Sequence, residues 1–272
     1  FFELRYDILD ENDIGVALKY IPAAQLLFSV RKKIDKLPQG VSEFDWALEL
    51  GDCPIPNPTI FSLHTRTDEK SFADTLKSLA RYQKKGAHIK LAVEIKDFSE
   101  LMMAHEWQKV DPLGRSFLPT SADGRWRWYR LLQKGKQKLN FVNEGFSDVL
   151  DQPSIMDWLS APVGSQFAAV LGDPIEHSFS PEEHQKFFTE RNMPFLKIRV
   201  TESECDLALR SLKEMGLRYA AVTSPLKKVV LPSKTVNSLY IDEKCIGANT
   251  DILGLKEVLK DIKEEAIAVW GG

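Results

Sequence analysis

The sequence predicts an α/β fold, in which short apolar strands alternate with helices. The clearest unit lies between residues 58 and 93, where two β-rich runs, Pro58–His64 and Gly86–Val93, flank a stretch whose apolar residues recur at helical spacing. A strand–helix–strand crossover makes its two strands parallel and usually neighbours. The same alternation extends over residues 1–155, and a fresh α/β pattern begins at residue 166.

Seven runs in residues 1–155 have the composition of strands. They are Phe2–Tyr6, Leu26–Val30, Trp46–Leu50, Thr59–His64, His88–Val93, Ser116–Pro119 and Lys138–Val142. A helix-like segment around Ser154–Trp158 then leads into Ala161–Ser165, where Pro, Gly and Ser lie close together. We therefore expect one domain at 1–155, a linker at 156–165 and a second domain at 166–262.

In the second domain, strands are expected at Phe167–Gly172, Leu196–Val200 and Tyr219–Val222. A helix is expected to begin at Ser180, which is followed by a proline and two acidic residues. Ser favours the N-cap position, Pro the first helical position, and acids the first turn.

Composition and charge argue against several classes of protein. Hydrophobic residues make up 43% of the 272-residue chain and charged residues 28%, as in ordinary globular proteins. The net charge of −3 gives no electrostatic basis for binding nucleic acid or an anionic membrane. No apolar run approaches membrane-spanning length, and no signal peptide is visible. Because Cys53, Cys205 and Cys245 fit no metal-ligand or disulfide spacing, we expect reduced thiols, no metal and a cytoplasmic location.

Two ionisable residues stand out in the unit between residues 58 and 93. His64 ends the first strand, and Lys90 lies within the second, which is otherwise apolar. Apolar surroundings favour the neutral form of a buried amine. A neutral amine beside an imidazole suits Schiff-base chemistry with acid–base assistance. The alternative is a lysine that extends to solvent at a strand end and a histidine hydrogen-bonded in a polar corner.

Four short segments resemble, in the same order, the type I 3-dehydroquinate dehydratase family. They are Glu-Leu-Arg-Tyr-Asp from residue 3, Leu-Phe-Ser-Val-Arg from residue 27, Phe-Ser-Leu-His from residue 61 and Ile-Lys-Leu-Ala-Val from residue 89. The resemblance implies a (β/α)8 TIM barrel, with its first strand expected ahead of Phe1. It also implies a cofactor-free reaction in which Lys90 forms an imine with 3-dehydroquinate and His64 is the acid–base group. The residues implied in substrate binding on these segments are Glu3, Arg5 and Arg31.

Later segments match this family less well. The Glu-Gly-Gly stretch that follows the family's arginine is absent after Arg31, where Asp35 alone could stand in for the acid. Asp123–Arg127 resembles a Gly-x-x-Ser-Arg motif without its serine. Arg127 is therefore our first candidate to clamp the substrate carboxylate, with Arg130 as its rival. Of the family's late Ser-Ala-Pro-Gly-Gln loop, Gln152 alone remains in place.

The second domain resembles the substrate domain of shikimate dehydrogenases. Its motifs are Gly-Asp-Pro-Ile-x-His-Ser-x-Ser-Pro from residue 172, Val-Thr-x-Pro-x-Lys from 222, Val-Asn-Ser from 236 and Asn-Thr-Asp from 249. The resemblance implies that Lys227 and Asp251 form a catalytic pair. The implied substrate-binding residues are Ser178, Ser180, Thr223 and Asn237. The alternatives are a surface ion pair for Lys227 and Asp251, and helix capping for the two serines.

The chain ends on an apolar run followed by Gly271 and Gly272, which resembles the start of an NADP-binding domain at 263–272. We expect NADP to bind only the full-length protein. Together the resemblances indicate a fragment of a bifunctional shikimate-pathway enzyme with 3-dehydroquinate, 3-dehydroshikimate and shikimate as its small-molecule partners. Three alternatives remain open: another Schiff-base lyase or aldolase, a degenerate barrel that serves as a scaffold, and a shikimate-binding protein without catalysis.

Overall fold

The protein is described here from a computed structural model. The structure describes residues 2–34, 37–55, 58–66, 70–83, 86–145, 147–175, 178, 180–231 and 234–260, with the backbone alone at 180–183. The chain divides into two compact units, Phe1–Ala161 and Pro162–Gly272. The division falls inside the segment 156–165 that the sequence predicts as a linker.

The first unit contains a parallel six-stranded sheet whose strands lie in chain order. The strands are β1 (Phe2–Arg5), β2 (Leu26–Val30), β3 (Phe44–Ala47), β4 (Ile60–Leu63), β5 (His88–Leu91) and β6 (Arg115–Phe117). The helices are α1 (Glu11–Tyr20), α2 (Phe72–Gln83), α3 (Phe98–Lys109), α4 (Arg127–Leu132) and α5 (Ile155–Ser160). The predicted α/β class with a parallel sheet is therefore confirmed.

Side-chain caps explain where three of these helices begin. The Asp10 carboxylate accepts a hydrogen bond from the backbone of residue 13 at the start of α1, and Asp97 accepts one from residue 100 at α3. Ser154 and Asp157 form a reciprocal capping box at α5. Each cap satisfies an amide that the helix itself leaves without a partner.

The two faces of the first sheet differ in polarity. Because side chains alternate between faces along a strand, the strand register assigns each residue to one face. Apart from Arg115 at its edge, one face is apolar, and it carries Leu4, Phe28, Val30, Trp46, Phe61, Ile89, Leu91 and Phe117. The other face carries the charged and hydroxyl side chains Glu3, Arg5, Ser29, Asp45, Ser62, His88, Lys90 and Ser116. A strand buried in a parallel sheet is ordinarily apolar on both faces, so this polar face needs a chemical explanation.

The predicted seventh strand, Lys138–Val142, is wrong: the structure has an irregular segment there. Polar side chains near β6 already bond the backbone groups that such a strand would use. The amide of Gln137 accepts from Phe117 N at 3.0 Å and donates to Phe117 O at 3.2 Å, and Ser116 Oγ accepts from Leu139 N at 3.0 Å. Among the described residues the sheet order ends at β1 and β6, and the closed barrel stays a prediction.

The second unit contains a mixed five-stranded sheet in the order β11-β10-β9-β7-β8. Its strands are β7 (Phe167–Gly172), β8 (Phe195–Arg199), β9 (Leu217–Val222), β10 (Ser238–Ile241) and β11 (Cys245–Ala248). Strands β7, β8 and β9 are parallel, and β10 runs antiparallel to both of its neighbours. Its helices are α6 (Ser180–Thr189), α7 (Cys205–Glu214) and α8 (Thr250–Leu259). The three strands predicted here are present: β7 has the predicted ends, β8 begins and ends one residue earlier, and β9 begins two residues earlier.

Within the residues that the structure describes, no helix combines the length and the apolar character needed to cross a lipid bilayer.

His105 gives the first unit a predicted dependence of stability on pH. Its Nδ1 lies 2.9 Å from the Tyr129 hydroxyl in the core, and burial lowers its pKa from 6.5 to about 4. A buried imidazole that resists protonation stabilises the fold above pH 6.5, and this contribution falls as the pH drops from 6.5 towards 4. The full effect amounts to up to about 3 kcal/mol.

Urea unfolding followed by tryptophan fluorescence measures this effect, since Trp46, Trp107, Trp126, Trp128 and Trp158 all lie in the first unit. We expect His105→Gln to lower the unfolding free energy at pH 7 and to flatten its decline between pH 6.5 and 4. The exposed His184 in the second unit provides the control substitution. An equally steep decline in His105→Gln and wild type would contradict the assignment.

Candidate functional site

A cavity of about 310 Å³ opens where the polar face of the first sheet meets the carboxyl ends of its strands. Six of the residues predicted for this site line it: Glu3, Arg5, Arg31, His64, Lys90 and Gln152. Glu3 and Arg5 belong to β1 and Lys90 to β5, whereas Arg31 and His64 directly follow β2 and β4. Ligands bind at the carboxyl ends of parallel strands because the loops that follow them converge there.

Lys90 is 1% exposed, and its amine lies among charged and aromatic groups. The Lys90 Nζ donates a hydrogen bond to Asp45 Oδ2 on β3. It also lies 4.0 Å from Glu3 Oε1 and 4.8 Å from the centre of the Phe141 ring. The apolar surroundings expected for this amine are therefore wrong in one respect, because a buried carboxylate lies directly beside it.

Asp45 is as deeply buried as the lysine. Burial acts to raise the pKa of the Asp45 carboxyl, but attraction to Lys90 and the hydrogen bond from it outweigh burial and lower the pKa. Lys90 reaches Asp45 across β4, where the intervening position on that face carries only the small side chain of Ser62. Asp45 Oδ1 has no hydrogen-bond partner, so one buried acceptor atom stays available beside the amine.

Glu3 and Arg31 form the next layer of the cavity. Glu3 Oε1 accepts hydrogen bonds from Ser29 Oγ at 2.6 Å and from the Arg31 guanidinium at 3.3 Å. Arg31 Nε is buried and has no hydrogen-bond partner. On the same side, the bidentate hydrogen bond to Asp7 raises the pKa of Arg5 against the effect of burial. The cavity therefore has both cationic and anionic walls.

His64 lies at the cavity with its imidazole largely buried. Its Nδ1 is 3.7 Å from Glu49 Oε2, and its Nε2 has no hydrogen-bond partner. Burial lowers the pKa of His64, with Glu49 opposing this effect and Lys90 and Arg31 adding to it. His64 is therefore held neutral at physiological pH and can accept a proton.

Arg130, and not Arg127, supplies the third guanidinium of the cavity. Arg127 stands on the exposed side of α4, where its guanidinium pairs with Asp157 of α5. Arg130 is 4% exposed, lines the cavity and donates from Nε to Pro119 O at 3.0 Å. Burial lowers the pKa of Arg130 to about 10, which leaves it charged at neutral pH.

The sequence analysis missed Asp45, Glu49 and Asp151 as contributors to this site. Asp151 is fully buried and accepts hydrogen bonds from the backbone of Ser121 and Trp126, which fixes the loop that leads into α4. An aspartate in the apolar run around Phe44–Ala47 was a usable signal for Asp45. The strand prediction began one residue too late to include it.

The second unit brings a different set of predicted residues together. Lys227 Nζ donates to Asp251 Oδ2 at 2.7 Å, and Asn237 Nδ2 donates to Asp251 Oδ1 at 2.7 Å. Asn237 also accepts from the backbone of Thr250 at 2.9 Å, which ties the start of α8 to the loop before β10. The hydrogen bond from Lys227 lowers the pKa of Asp251. Lysine, carboxylate and amide thus form one exposed group.

The other predicted residues of this unit are placed less completely. Thr223 follows β9, and its methyl group lies against Gly172 at the end of β7, where any larger residue would collide with it. Ser178 is half-buried between β7 and α6, and Ser180 begins α6. The side chain of Ser180 lies outside the described part of the chain, as do Asp35, Gly271 and Gly272. In the described ranges, no three His, Cys, Asp or Glu side chains are grouped as metal ligands.

Comparison with known proteins shows what the second unit is similar to. Residues 170–250 match the family model of the shikimate dehydrogenase substrate binding domain. The shikimate dehydrogenase (NADP(+)) of Methanococcoides burtonii is 32% identical over 119 residues, covering 38% of this chain and 44% of that protein. The Moorella thermoacetica enzyme of the same name is 32% identical over 107 residues. That match covers 34% of this chain and 36% of the Moorella protein. The motif-based resemblance is therefore confirmed for this part of the chain.

The chain spans less than half the length of these curated relatives. Among solved structures, this chain is similar to the dehydroquinate dehydratase and shikimate dehydrogenase from S. pombe, with 16% identity and a TM-score of 0.42. The match covers 95% of this chain and 61% of the S. pombe chain. A likeness of that size does not establish the fold or the activity of residues 1–161.

The Lys90–Asp45 pair is expected to be strongly coupled. Removing one member of a buried ion pair leaves an uncompensated buried charge and costs about 3–5 kcal/mol. We therefore expect Asp45→Asn and Lys90→Met each to lower the unfolding free energy by about 3 kcal/mol or more. The double variant should lose clearly less than the sum. The exposed pair Lys109–Glu106, 2.9 Å apart, is the matched control and should show a coupling below about 1 kcal/mol.

For each pair, urea denaturation of the wild type, the two single variants and the double variant gives the coupling energy of that double-mutant cycle. Additive losses in the Lys90–Asp45 cycle would show that these residues do not form a coupled buried pair.

Proposed function

We propose that the first unit dehydrates 3-dehydroquinate to 3-dehydroshikimate through an imine on Lys90, on a (β/α)8 barrel. The observation that carries this proposal is the buried Lys90 amine, which faces a cavity lined by an imidazole, carboxylates and guanidinium groups. A small anionic polyhydroxy ketone fits such a cavity. Guanidinium groups bind its carboxylate, carboxylates accept from its hydroxyls, and the amine attacks its carbonyl.

Imine formation needs a neutral amine. The Lys90 ammonium therefore first transfers a proton to the Asp45 carboxylate. The amine attacks the ketone carbon, and the resulting carbinolamine loses its hydroxyl with the proton returned by Asp45, so that one water is released. The iminium cation then faces an ionised Asp45, which stabilises the positive charge. Because both groups are buried, water screens this attraction little.

The iminium makes the neighbouring C–H bond acidic, since the electrons left behind are taken up by the nitrogen. His64 is neutral and accepts that proton on Nε2. It then returns the proton to the departing hydroxyl, which leaves as a second water and gives a conjugated iminium. Hydrolysis consumes one water and restores the Lys90 amine. Overall the substrate loses one water, and the protein is unchanged.

The carboxylate of the substrate is assigned to Arg130, with Arg31 as the second guanidinium. Arg130 is fixed by its hydrogen bonds to backbone carbonyls, and its position is therefore set before a ligand arrives. The buried Arg31 Nε lacks a partner and is ready to donate to an anionic oxygen. Glu3, Arg5 and Gln152 are assigned to the substrate hydroxyls.

For the second unit we propose the following step of the shikimate pathway, the reduction of 3-dehydroshikimate to shikimate. NADPH supplies the hydride when it is bound, and Gly271 and Gly272, expected to begin its site, lie outside the described residues. Lys227 gives a proton to the carbonyl oxygen, and Asp251 orients the lysine. Ser178, Ser180, Thr223 and Asn237 are assigned to the substrate carboxylate and hydroxyls. With this function goes a cytoplasmic location, in keeping with the free thiols of Cys205 and Cys245.

A second candidate is a degenerate barrel that acts as a scaffold, with only the shikimate dehydrogenase part functional. Its supporting observation is that Arg127, expected to bind the substrate carboxylate, pairs with Asp157 outside the cavity.

Lys90 and the two arginines test the dehydratase proposal against the scaffold. The assay is the ultraviolet absorbance of the conjugated product formed from 3-dehydroquinate. We expect turnover by the wild type, none by Lys90→Met, and a fall in kcat/KM of about 10- to 100-fold in Arg130→Gln, because a charge-assisted bond is lost. Arg127→Gln is the matched control and should stay within about twofold of the wild type. Turnover that survives in Lys90→Met, or no turnover by folded wild type, would refute the imine mechanism.

Lys227 tests the second assignment in the protein that carries the NADP domain. We expect Lys227→Met to slow NADP-dependent reduction of 3-dehydroshikimate by about 100-fold or more, since a positioned proton donor contributes 10²–10⁴-fold. Lys228→Met, at the exposed neighbouring lysine, should change the rate little. Equal rates in the two variants would remove Lys227 from the reaction.

A further inference from the structure

His88 is a buried, ionisable residue that neither the predicted motifs nor the proposed dehydratase step uses. It begins β5 on the polar face of the sheet, two positions before Lys90, and it is 4% exposed. His88 Nδ1 lies 3.0 Å from Leu113 O, and His88 Nε2 lies 2.9 Å from Ser116 Oγ. Since both ring nitrogens have partners, the imidazole has one fixed orientation in the sheet.

The chemistry of the partners gives these hydrogen bonds one direction. A carbonyl oxygen only accepts, so the ring hydrogen of His88 is on Nδ1 and points at Leu113 O. Burial lowers the pKa of His88, which is therefore neutral at pH 7 with its lone pair on Nε2. Ser116 donates its hydroxyl hydrogen to that lone pair and accepts on Oγ from Leu139 N at 3.0 Å. His88 therefore orients the hydroxyl that holds Leu139.

Residues 137–141 lie beside β6 without forming a strand, and side chains hold them there. Ser116 accepts from Leu139 N, and the Gln137 amide donates to Leu139 O at 3.0 Å. Phe141 follows two residues later, lines the cavity, and places its ring centre 4.8 Å from Lys90 Nζ. The place of this ring therefore depends on how residue 139 is held.

The Phe141 ring affects the Lys90 amine because it faces a positive charge. An aromatic face attracts a cation, and the attraction is strongest where water is excluded. Lys90 is 1% exposed, and its nitrogen is positive both as the ammonium and as the proposed iminium. A ring that is held against this nitrogen therefore stabilises the cation through which the proposed reaction passes.

We propose that His88 is a positioning residue, which acts through the Ser116 hydroxyl to hold residues 139–141 so that the Phe141 ring stays against the Lys90 amine. Its part in a reaction rests on the dehydratase function proposed above. Its part in placing the ring stands on the hydrogen bonds and on the distance between ring and amine.

Three variants separate the hydrogen bonds of His88 from its bulk. In His88→Gln, the amide nitrogen can donate to Leu113 O and the amide oxygen can accept from Ser116, so that the chain of hydrogen bonds is kept. Leucine in His88→Leu fills the space without a polar atom and takes away the acceptor of the Ser116 hydroxyl. Ser116→Ala removes the hydrogen bond to Leu139 N directly.

The first measurement is the ¹H–¹³C NMR signal of the Lys90 ε-methylene group. Protons above an aromatic face resonate upfield, so we expect an upfield shift in the wild type that disappears in Phe141→Leu. His88→Gln should keep most of the shift, whereas His88→Leu and Ser116→Ala should lose most of it. Thr75→Val, which removes a buried hydroxyl from α2, is the matched control and should leave the shift unchanged.

Results of two kinds would overturn the proposal. One is a wild-type Lys90 signal without the upfield shift, or a shift that folded His88→Leu and Ser116→Ala both retain. The other is hydrogen on Nε2 of His88 in the ¹⁵N–¹H correlation spectrum of the wild type, where we expect hydrogen on Nδ1. The wild-type spectra decide the question even where the variants do not fold.

Activity gives the second readout and separates this inference from the function on which it rests. We expect His88→Leu and Ser116→Ala to lower kcat of dehydration about 3- to 30-fold, with KM within about twofold, because the ring contacts the amine and not the guanidinium groups. His88→Gln should recover most of the rate. A raised KM with an unchanged kcat would overturn the role at the amine. The expected NMR results together with no dehydratase activity in the wild type would uphold the role of His88 and reject the proposed function.

Discussion

The ion pair between Lys90 and Asp45 is the interaction on which the first unit's site depends. Two charges are removed from water in the middle of a sheet, and each is tolerable only because the other is within hydrogen-bond reach. Such a pair costs desolvation energy that an apolar pair would not, so stability alone does not explain its presence. The proposed imine chemistry requires a buried amine beside a cavity, and in that proposal the carboxylate serves both the amine and the later cation.

The rest of the site follows from the position of this pair on one sheet face. Since side chains alternate along each strand, a register that places Lys90 and Asp45 together also brings Ser29, Ser62 and Glu3 to the same side. The opposite face is then apolar apart from Arg115 on the edge strand β6. The loops after the strands add His64 and Arg31 at the open end, and helix α4 adds Arg130. The proposed imine chemistry accounts for a polar face that packing alone would not produce.

The sequence predicted the parts of this arrangement that leave a local pattern. Strand β2 is apolar except for Ser29 and was located to the residue. Lys90 and His64 were predicted because ionisable residues interrupt or end apolar runs. Asp45 was missed although its signal was of the same kind, since the start of its strand was misplaced. Glu49 left no local signal, because its partners are backbone amides 15 and 16 residues away. The choice between Arg127 and Arg130 depends on which side of one helical turn faces the cavity, and residue spacing does not determine that.

The second unit was more predictable because its motifs are dense and specific. Lys227, Asp251 and Asn237 meet within hydrogen-bond distance although their motifs are separated along the chain. Lys227 is 37% exposed on its side chain and Asp251 is 60% exposed. In the proposed reduction, a lysine and a carboxylate so open to water would gain from a further cover that excludes solvent. The two units therefore differ: the first encloses its reactive amine within the sheet, and the second presents its lysine at a surface.

Borohydride reduction in the presence of 3-dehydroquinate, followed by peptide mass analysis, tests the central claim most directly. Borohydride converts an imine into a stable secondary amine and thereby marks the nitrogen that formed it. The account predicts one adduct, located on Lys90, and a weaker or absent adduct in Asp45→Asn. Folded wild-type protein that yields no adduct, or that carries the adduct on another lysine, would contradict it.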